Sequence, residues 1–139
     1  MLTFKRLMII LVVAGFLLTA CGARAQTVNI TLTDYAIESS QTSFEVGVPY
    51  HFVVTNEGVL NHELMIMPPM TEEQMSMNMD MEEMDAMALA MIEEDELDPG
   101  TTKTLDYTFT DPAPAGSLEF ACHSPDHYEK GMKLPITVK

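Results

Sequence analysis

Apolar and polar residues alternate along most of the chain. From Thr27 to Ile37, Val28, Ile30 and Leu32 fall on one face and Thr and Asn on the other, the period-2 pattern of a half-buried strand. After a polar connection over Ser39–Ser43, Phe44-Glu45-Val46 reads as a short strand closed by Gly47. Pro49–Asn56 reads as another, with Phe52, Val53 and Val54 ahead of an Asn-Glu-Gly turn. His62–Met67 is a further apolar strand, stopped by Pro68-Pro69. Alternation returns over Thr101–Thr110, where Leu105, Tyr107 and Phe109 share a face. Pro112 to Gly116 then makes a corner, Leu118–Cys122 a strand, and Leu134–Val138 the last one. Short strands between Gly- and Pro-rich turns predict an all-β fold, an antiparallel Greek-key sandwich.

Residues 68–98 break this rhythm. Met and acidic side chains dominate there, with no β-branched run. Thr71-Glu72-Glu73-Gln74 has the form of a capping box, Thr71 as N-cap and Gln74 three residues on. Met, Ala, Leu and Glu favour helix, so the composition predicts one helix over roughly 72–93 as an insertion in the sandwich, before the turn at Asp98-Pro99-Gly100.

The N-terminus changes the picture of where the protein works. Lys5-Arg6 precede an apolar run, Leu7–Leu18, that is short for a membrane span, so residues 1–20 read as a secretory signal. Leu18-Thr19-Ala20-Cys21 resembles a bacterial lipobox, which implies a lipid on Cys21, a short tether over 21–26 and a single domain over 27–139. The expected product is a cell-envelope lipoprotein attached to the membrane through Cys21. Cleavage after the competing triplet Ala23-Arg24-Ala25 gives a soluble periplasmic form instead.

Acidic residues number 21 against 7 Lys and Arg, for a net charge of −14, and all of them follow the signal. Such a surface repels nucleic acid, which excludes that function class, and favours cations and a partner protein with a basic docking face. With Cys21 in the lipobox, Cys122 is an unpaired thiol in an oxidising compartment, and metal ligation gives such a thiol both protection and a role.

The residues after Cys122 specify the metal. Cys122, His127 and Met132 are spaced C-x4-H-x4-M, so one loop can turn a thiolate, an imidazole and a thioether inward together. These are the ligands of a blue (type 1) copper site, which takes one more histidine, and His62 in Asn61-His62-Glu63-Leu64 is the candidate. Zinc accounts for the thiolate and imidazoles but not for Met132. A Cys–His nucleophile pair lacks a third, orienting group, and four histidines are too few for an additional catalytic copper cluster, so no enzyme activity is expected. His123 faces the opposite side of an extended segment from Cys122, and His51 sits in a strand with no partner pattern and reads as a surface residue; neither is expected to be a ligand.

These stretches resemble the cupredoxin family of blue copper proteins, which includes plastocyanin, azurin and halocyanin. The resemblance is carried by Asn61-His62-Glu63, Asp98-Pro99-Gly100 before a Thr-rich strand, Phe120-Ala121-Cys122, Pro125-Asp126-His127 and Gly131-Met132, in the family's order His…Cys…His…Met. It covers about residues 27–139 apart from the insertion. It implies one type 1 copper with His62, Cys122 and His127 as strong ligands and Met132 as the weak axial one, and one-electron transfer to a redox partner protein. Two features depart from the family. Glu63 stands where several relatives carry an Asn or Ser whose side chain ties the two ligand loops together, so its charge must face outward or find a donor. The Met-rich segment is not a standard part of the small electron carriers.

That segment supports a second function class, copper handling. Ten of the 27 residues from Met65 to Met91 are Met. On one helix, Met77, Met81, Met84, Ala88 and Met91 form a stripe that could simply cover the sandwich. Met75 and Met79 fall off it. Thioethers are soft, uncharged ligands suited to copper(I), and the run Met75, Met77, Met79, Met81, continued at Met84, resembles the Met motifs of exported copper-handling proteins. These five residues are the candidate for an additional copper(I) site.

Overall fold

The computed structural model describes residues 24–77 and 79–139; the expected signal over 1–20 and Cys21 lie outside the described residues. Among those described, the strands form two sheets that enclose the main core. The first has β1 (Gln26–Thr33), β2 (Ala36–Ser39), β4 (Pro49–Asn56) and β7 (Thr102–Thr108) in the order β2-β1-β4-β7. The second has β3 (Ser43–Phe44), β5 (Leu64–Met67), β6 (Ala90–Ile92), β8 (Ala113–Ala121) and β9 (Lys133–Val138) in the order β3-β9-β8-β5-β6. The sandwich expected from the alternation is present. It is mixed rather than wholly antiparallel, since β1 pairs with β4, and β3 with β9, in parallel.

Alternation places the core where the pattern indicates. In β4, Tyr50, Phe52, Val54 and Asn56 point inward while their neighbours are half exposed. Tyr50 and Phe52 meet Phe44, Phe109 and Phe120 in a cluster of edge and stacked contacts, with ring centroids 4.9 to 6.1 Å apart. The inward Asn56 is satisfied: its Nδ2 donates to the carbonyls of Leu60 and Leu97, and its Oδ1 accepts from the Gly58 N–H. It thereby fixes the loop that carries His62.

The structure corrects three elements. The strand expected over 27–37 is a hairpin, broken at Asp34-Tyr35, where Tyr35 adopts φ 70°. All but Pro112 of the corner expected at Pro112–Gly116 lies inside β8, whose pairing with β9 slips between Ala113 and Leu118, with Gly116 at φ +84°. The single helix expected over 72–93 is two short ones, α1 (Glu72–Ser76) and α2 (Met81–Asp85), followed by β6 and a 3-10 turn at Glu94–Glu96. Thr71 and Gln74 do form the expected capping box. Asp80 and Glu83 form a second one, and it starts α2 where a continuous helix would have run on.

β5 explains part of the Met abundance. All four of its residues are buried because both of its faces are covered. Leu64 and Ile66 face the main core, while Met65 and Met67 join Ala121 and Tyr128 in a second cluster packed by Met70, Met87, Ala88 and Met91. The insertion is the lid over this outer face.

Candidate metal centre

Four backbone positions build the centre. His62 lies in the connection from β4 to β5, and Cys122 follows β8 directly. His127 lies in the turn after Cys122, and Met132 immediately precedes β9. The loop is closed by its own backbone: the Cys122 N–H donates to Met132 O (3.1 Å), the Met132 N–H to His127 O (3.0 Å) and the His127 N–H to Ser124 O (2.9 Å). Asp126 at φ 67° and Gly131 at φ 99° supply the left-handed turns this path needs.

The side chains of His62, Cys122 and His127 come together. One ligand atom each from His62, Cys122 and His127 lies within 4.8 Å of the others, and all three residues are buried. His62 Nδ1 is 3.2 Å from His127 Nδ1, which is 3.5 Å from Cys122 Sγ. Met132 is fully buried in the same core cluster as Cys122. A thiolate and two imidazoles, with a thioether buried in the same core, suit copper, whose +1 state accepts sulfur and whose +2 state favours nitrogen. Burial pushes the Cys122 thiol above its ordinary pKa, against hydrogen bonds from the Glu63 N–H and Ser124, so a bound cation is the natural means of ionising it.

The surrounding groups orient these side chains. Sequence reasoning missed Asp34, which sits in the β1–β2 turn 28 positions before His62. Its Oδ1 accepts the Val59 N–H (3.1 Å) and Leu60 N–H (3.3 Å) and lies 3.3 Å from His62 Nε2. A carboxylate on Nε2–H leaves Nδ1 of His62 as the free donor, on the side of Cys122 and His127. Burial works against ionisation of Asp34, but the Leu60 and Val59 N–H groups and the His62 ring outweigh it and hold its pKa below the ordinary value. Burial also lowers the His62 pKa, against the opposing pull of Asp34, which keeps the ring neutral and able to ligate. Gly58 is required here: a Cβ at this position would run into Asp34 Oδ1 and approach His62 Nε2 to 2.9 Å. The ring of Tyr35 closes over His127 edge-on at 5.3 Å.

Glu63 does not face outward. It is 1% exposed, its Oε1 accepts the His123 N–H at 2.6 Å, and its own N–H points to Cys122 Sγ at 3.5 Å. It thus ties the His62 and Cys122 loops together, with the carboxylate as acceptor. Burial, with Asp85, Glu94 and Glu93 nearby, raises its pKa to about 7, against the His123 hydrogen bond.

His123 stays out of the cluster as expected, yet it is not a surface residue. It is 7% exposed and stacks on Tyr128 at 4.2 Å, and burial lowers its pKa to about 4. His51 is at the surface, paired with Asp106 at 2.6 Å. In the Met-rich segment, Met75, Met79, Met81 and Met84 border one cleft, whereas Met77 is 66% exposed and stands apart from it.

No family model matches the chain, and no curated protein sequence does. Solved structures do. The reduced auracyanin of the photosynthetic bacterium Roseiflexus castenholzii superposes with a TM-score of 0.60 at 22% identity, over 85% of this chain and 99% of that one. An auracyanin B matches with a TM-score of 0.60 at 20% identity, over 83% and 89%. An azurin from the obligate methylotroph Methylomonas sp. strain J gives 0.56 at 10% identity, over 84% and 99%. Likeness at these identities speaks for the architecture, and it agrees with the two sheets described above. The chain therefore has the cupredoxin fold, with a buried His–Cys–His cluster formed by the loops that follow β4 and β8.

Proposed function

We propose that the protein is a blue copper electron carrier of the cell envelope, with His62, Cys122 and His127 as the strong ligands of one type 1 copper and Met132 as the weak axial one. The observation that carries this reading is the convergence of His62, Cys122 and His127, buried and within 4.8 Å of one another, in a domain whose structural neighbours are auracyanin and azurin. Bound copper supplies a one-electron couple there. The chain's part is to keep the ligands from moving when the charge changes: Asp34 holds the His62 ring, Glu63 ties the two loops, and the sheets fix their ends. His62 is fully buried whereas His127 keeps 7% exposure, so an electron enters or leaves through His127. The acidic surface favours a basic redox partner. Export with a lipid on Cys21, or as a soluble form cut after Ala25, places the domain where such partners meet it. The role is that of a carrier and not an enzyme.

A reversible one-electron titration tests this. The copper-loaded protein should take up and return one electron per copper, and Met132→Leu should raise its potential, because the thioether favours copper(II) over an empty apolar position. A copper that cannot be cycled without loss of the metal would refute the carrier reading.

One observation supports copper handling as a second reading. Met75, Met77 and Met81 are 42, 66 and 37% exposed, large apolar side chains left at the surface that packing does not explain. We read the tract Met75, Met77, Met79, Met81 and Met84 as able to take up additional copper(I).

A further inference from the structure

Packing accounts for some of the methionines and leaves others over. Met65 and Met67 are fully buried against Tyr128 and Ala121, with Met87 and Met91 beside them. Met75, Met79, Met81 and Met84 are not in that cluster. Together with Met70 they wall a cleft of about 290 Å³ between the insertion and the Cys122–Met132 loop, and His123 forms part of its wall. The cleft exists because the helix expected over 72–93 is broken. The Asp80–Glu83 capping box restarts the chain at α2, so thioethers from before α1, from α1, from the connection and from α2 turn toward one space. On one straight helix, Met75 and Met79 would lie off the stripe that carries Met81 and Met84.

His123 is the second, independent observation. Its imidazole is 7% exposed, and its Nε2 is buried with no hydrogen-bond partner among the described residues. A buried polar atom left unpaired is costly and calls for a missing partner. No hydrogen bond from the insertion reaches it; the cleft that His123 lines is walled by five methionines together with Gln74, and its ring stacks on Tyr128. An imidazole among thioethers is a soft, neutral ligand set that holds copper(I) without losing a proton from any ligand. Asp126 and Glu129 at the rim supply negative charge for a monovalent cation.

We propose that His123, with thioethers drawn from Met70, Met75, Met79, Met81 and Met84, forms a second metal site selective for copper(I), set back to back with the His62–Cys122–His127 cluster. The inference rests on the copper-handling reading of the Met tract and changes its ligand set: His123 and Met70 enter, and Met77 leaves. The alternation of β8 carried past its end makes the arrangement possible, because Cys122 lies in the main core and His123, the next residue, lines the cleft beside the insertion. The two sites are then joined by a single peptide bond, and by Glu63, which accepts the His123 N–H and donates its own toward Cys122.

Silver(I), a redox-inert substitute for copper(I), tests the site in the copper-loaded protein. Calorimetry and metal analysis should give one silver per chain while the visible thiolate-to-copper band is retained. His123→Phe keeps the stack on Tyr128 but removes the nitrogen, and should weaken silver binding at least about tenfold. Met75→Leu with Met79→Leu, at sites outside both cores, should do the same, while Met77→Leu should change nothing. Retention of the visible band in each variant shows that the domain is folded. Tight silver binding that ignores His123→Phe, or that is lost in Met77→Leu, overturns this site and leaves copper handling by a surface Met tract standing. No silver uptake, or uptake only as the blue band disappears, overturns both.

Discussion

Glu63→Gln isolates the cost of burying a carboxyl beside the metal ligands. The side chain is 1% exposed, and its pKa rises from the ordinary 4.5 to about 7 in the metal-free fold. Between these values the unfolded chain has released the proton that the folded chain still holds. Stability therefore falls as pH rises through this window and is flat above it. The difference of about 2.5 pKa units corresponds to an upper figure of ~3 kcal/mol. Gln has nearly the same shape and keeps an acceptor for the His123 N–H, but it does not titrate. Urea unfolding of the metal-free wild type and variant, followed from about pH 4.5 to about pH 8, should show the wild type losing up to that amount relative to Glu63→Gln. Parallel stability curves would show that Glu63 is not held protonated and that its burial does not oppose ionisation.

Other groups around the site give further expectations. Asp34→Ala frees the His62 ring, and Gly58→Ala pushes a Cβ against both partners; each should lower copper affinity about 10- to 100-fold in a competition titration, with little change in metal-free stability. Equal affinity would mean that the ring is held by packing alone. Tyr128→Phe leaves the buried Glu119 without the hydroxyl that donates to it at 2.6 Å and should cost about 2 kcal/mol in denaturant unfolding. An unchanged midpoint would show that Glu119 reaches water. Electron transfer to a basic partner should slow as ionic strength rises, and a rate indifferent to salt would point to apolar docking around Val59, Leu60 and Pro125.

The metal loop was legible because its chemistry is local. Cys122, His127 and Met132 carry their own spacing, and one short loop closed by three backbone hydrogen bonds brings Cys122 and His127 together, with Met132 buried at its end. Strands with clean alternation were legible for the same reason, and β4 runs over the residues the pattern marked. Asp34 was not, since nothing near it in sequence shows that a hairpin turn will reach His62. That turn was itself hidden, because Tyr35 rather than Gly takes the positive φ, and the alternation of Val28, Ile30 and Leu32 carries the eye across it. In the insertion, helix propensity pointed to one long helix. One local signal and one tertiary contact override it: the Asp80–Glu83 cap restarts the chain, and Ala90–Ile92 pairs with β5 as a strand of three residues. The need of Glu63 for a donor was readable in the sequence, but its partner, the His123 N–H, appears only once the loops meet.

The visible spectrum of the oxidised, copper-loaded protein, recorded beside Cys122→Ser with metal analysis of both, bears most directly on the central assignment. The wild type should hold one copper per chain and show an intense thiolate-to-copper charge-transfer band, and Cys122→Ser should lose that band entirely. A wild type that is colourless at full copper occupancy, or a Cys122→Ser protein that stays blue, would contradict it.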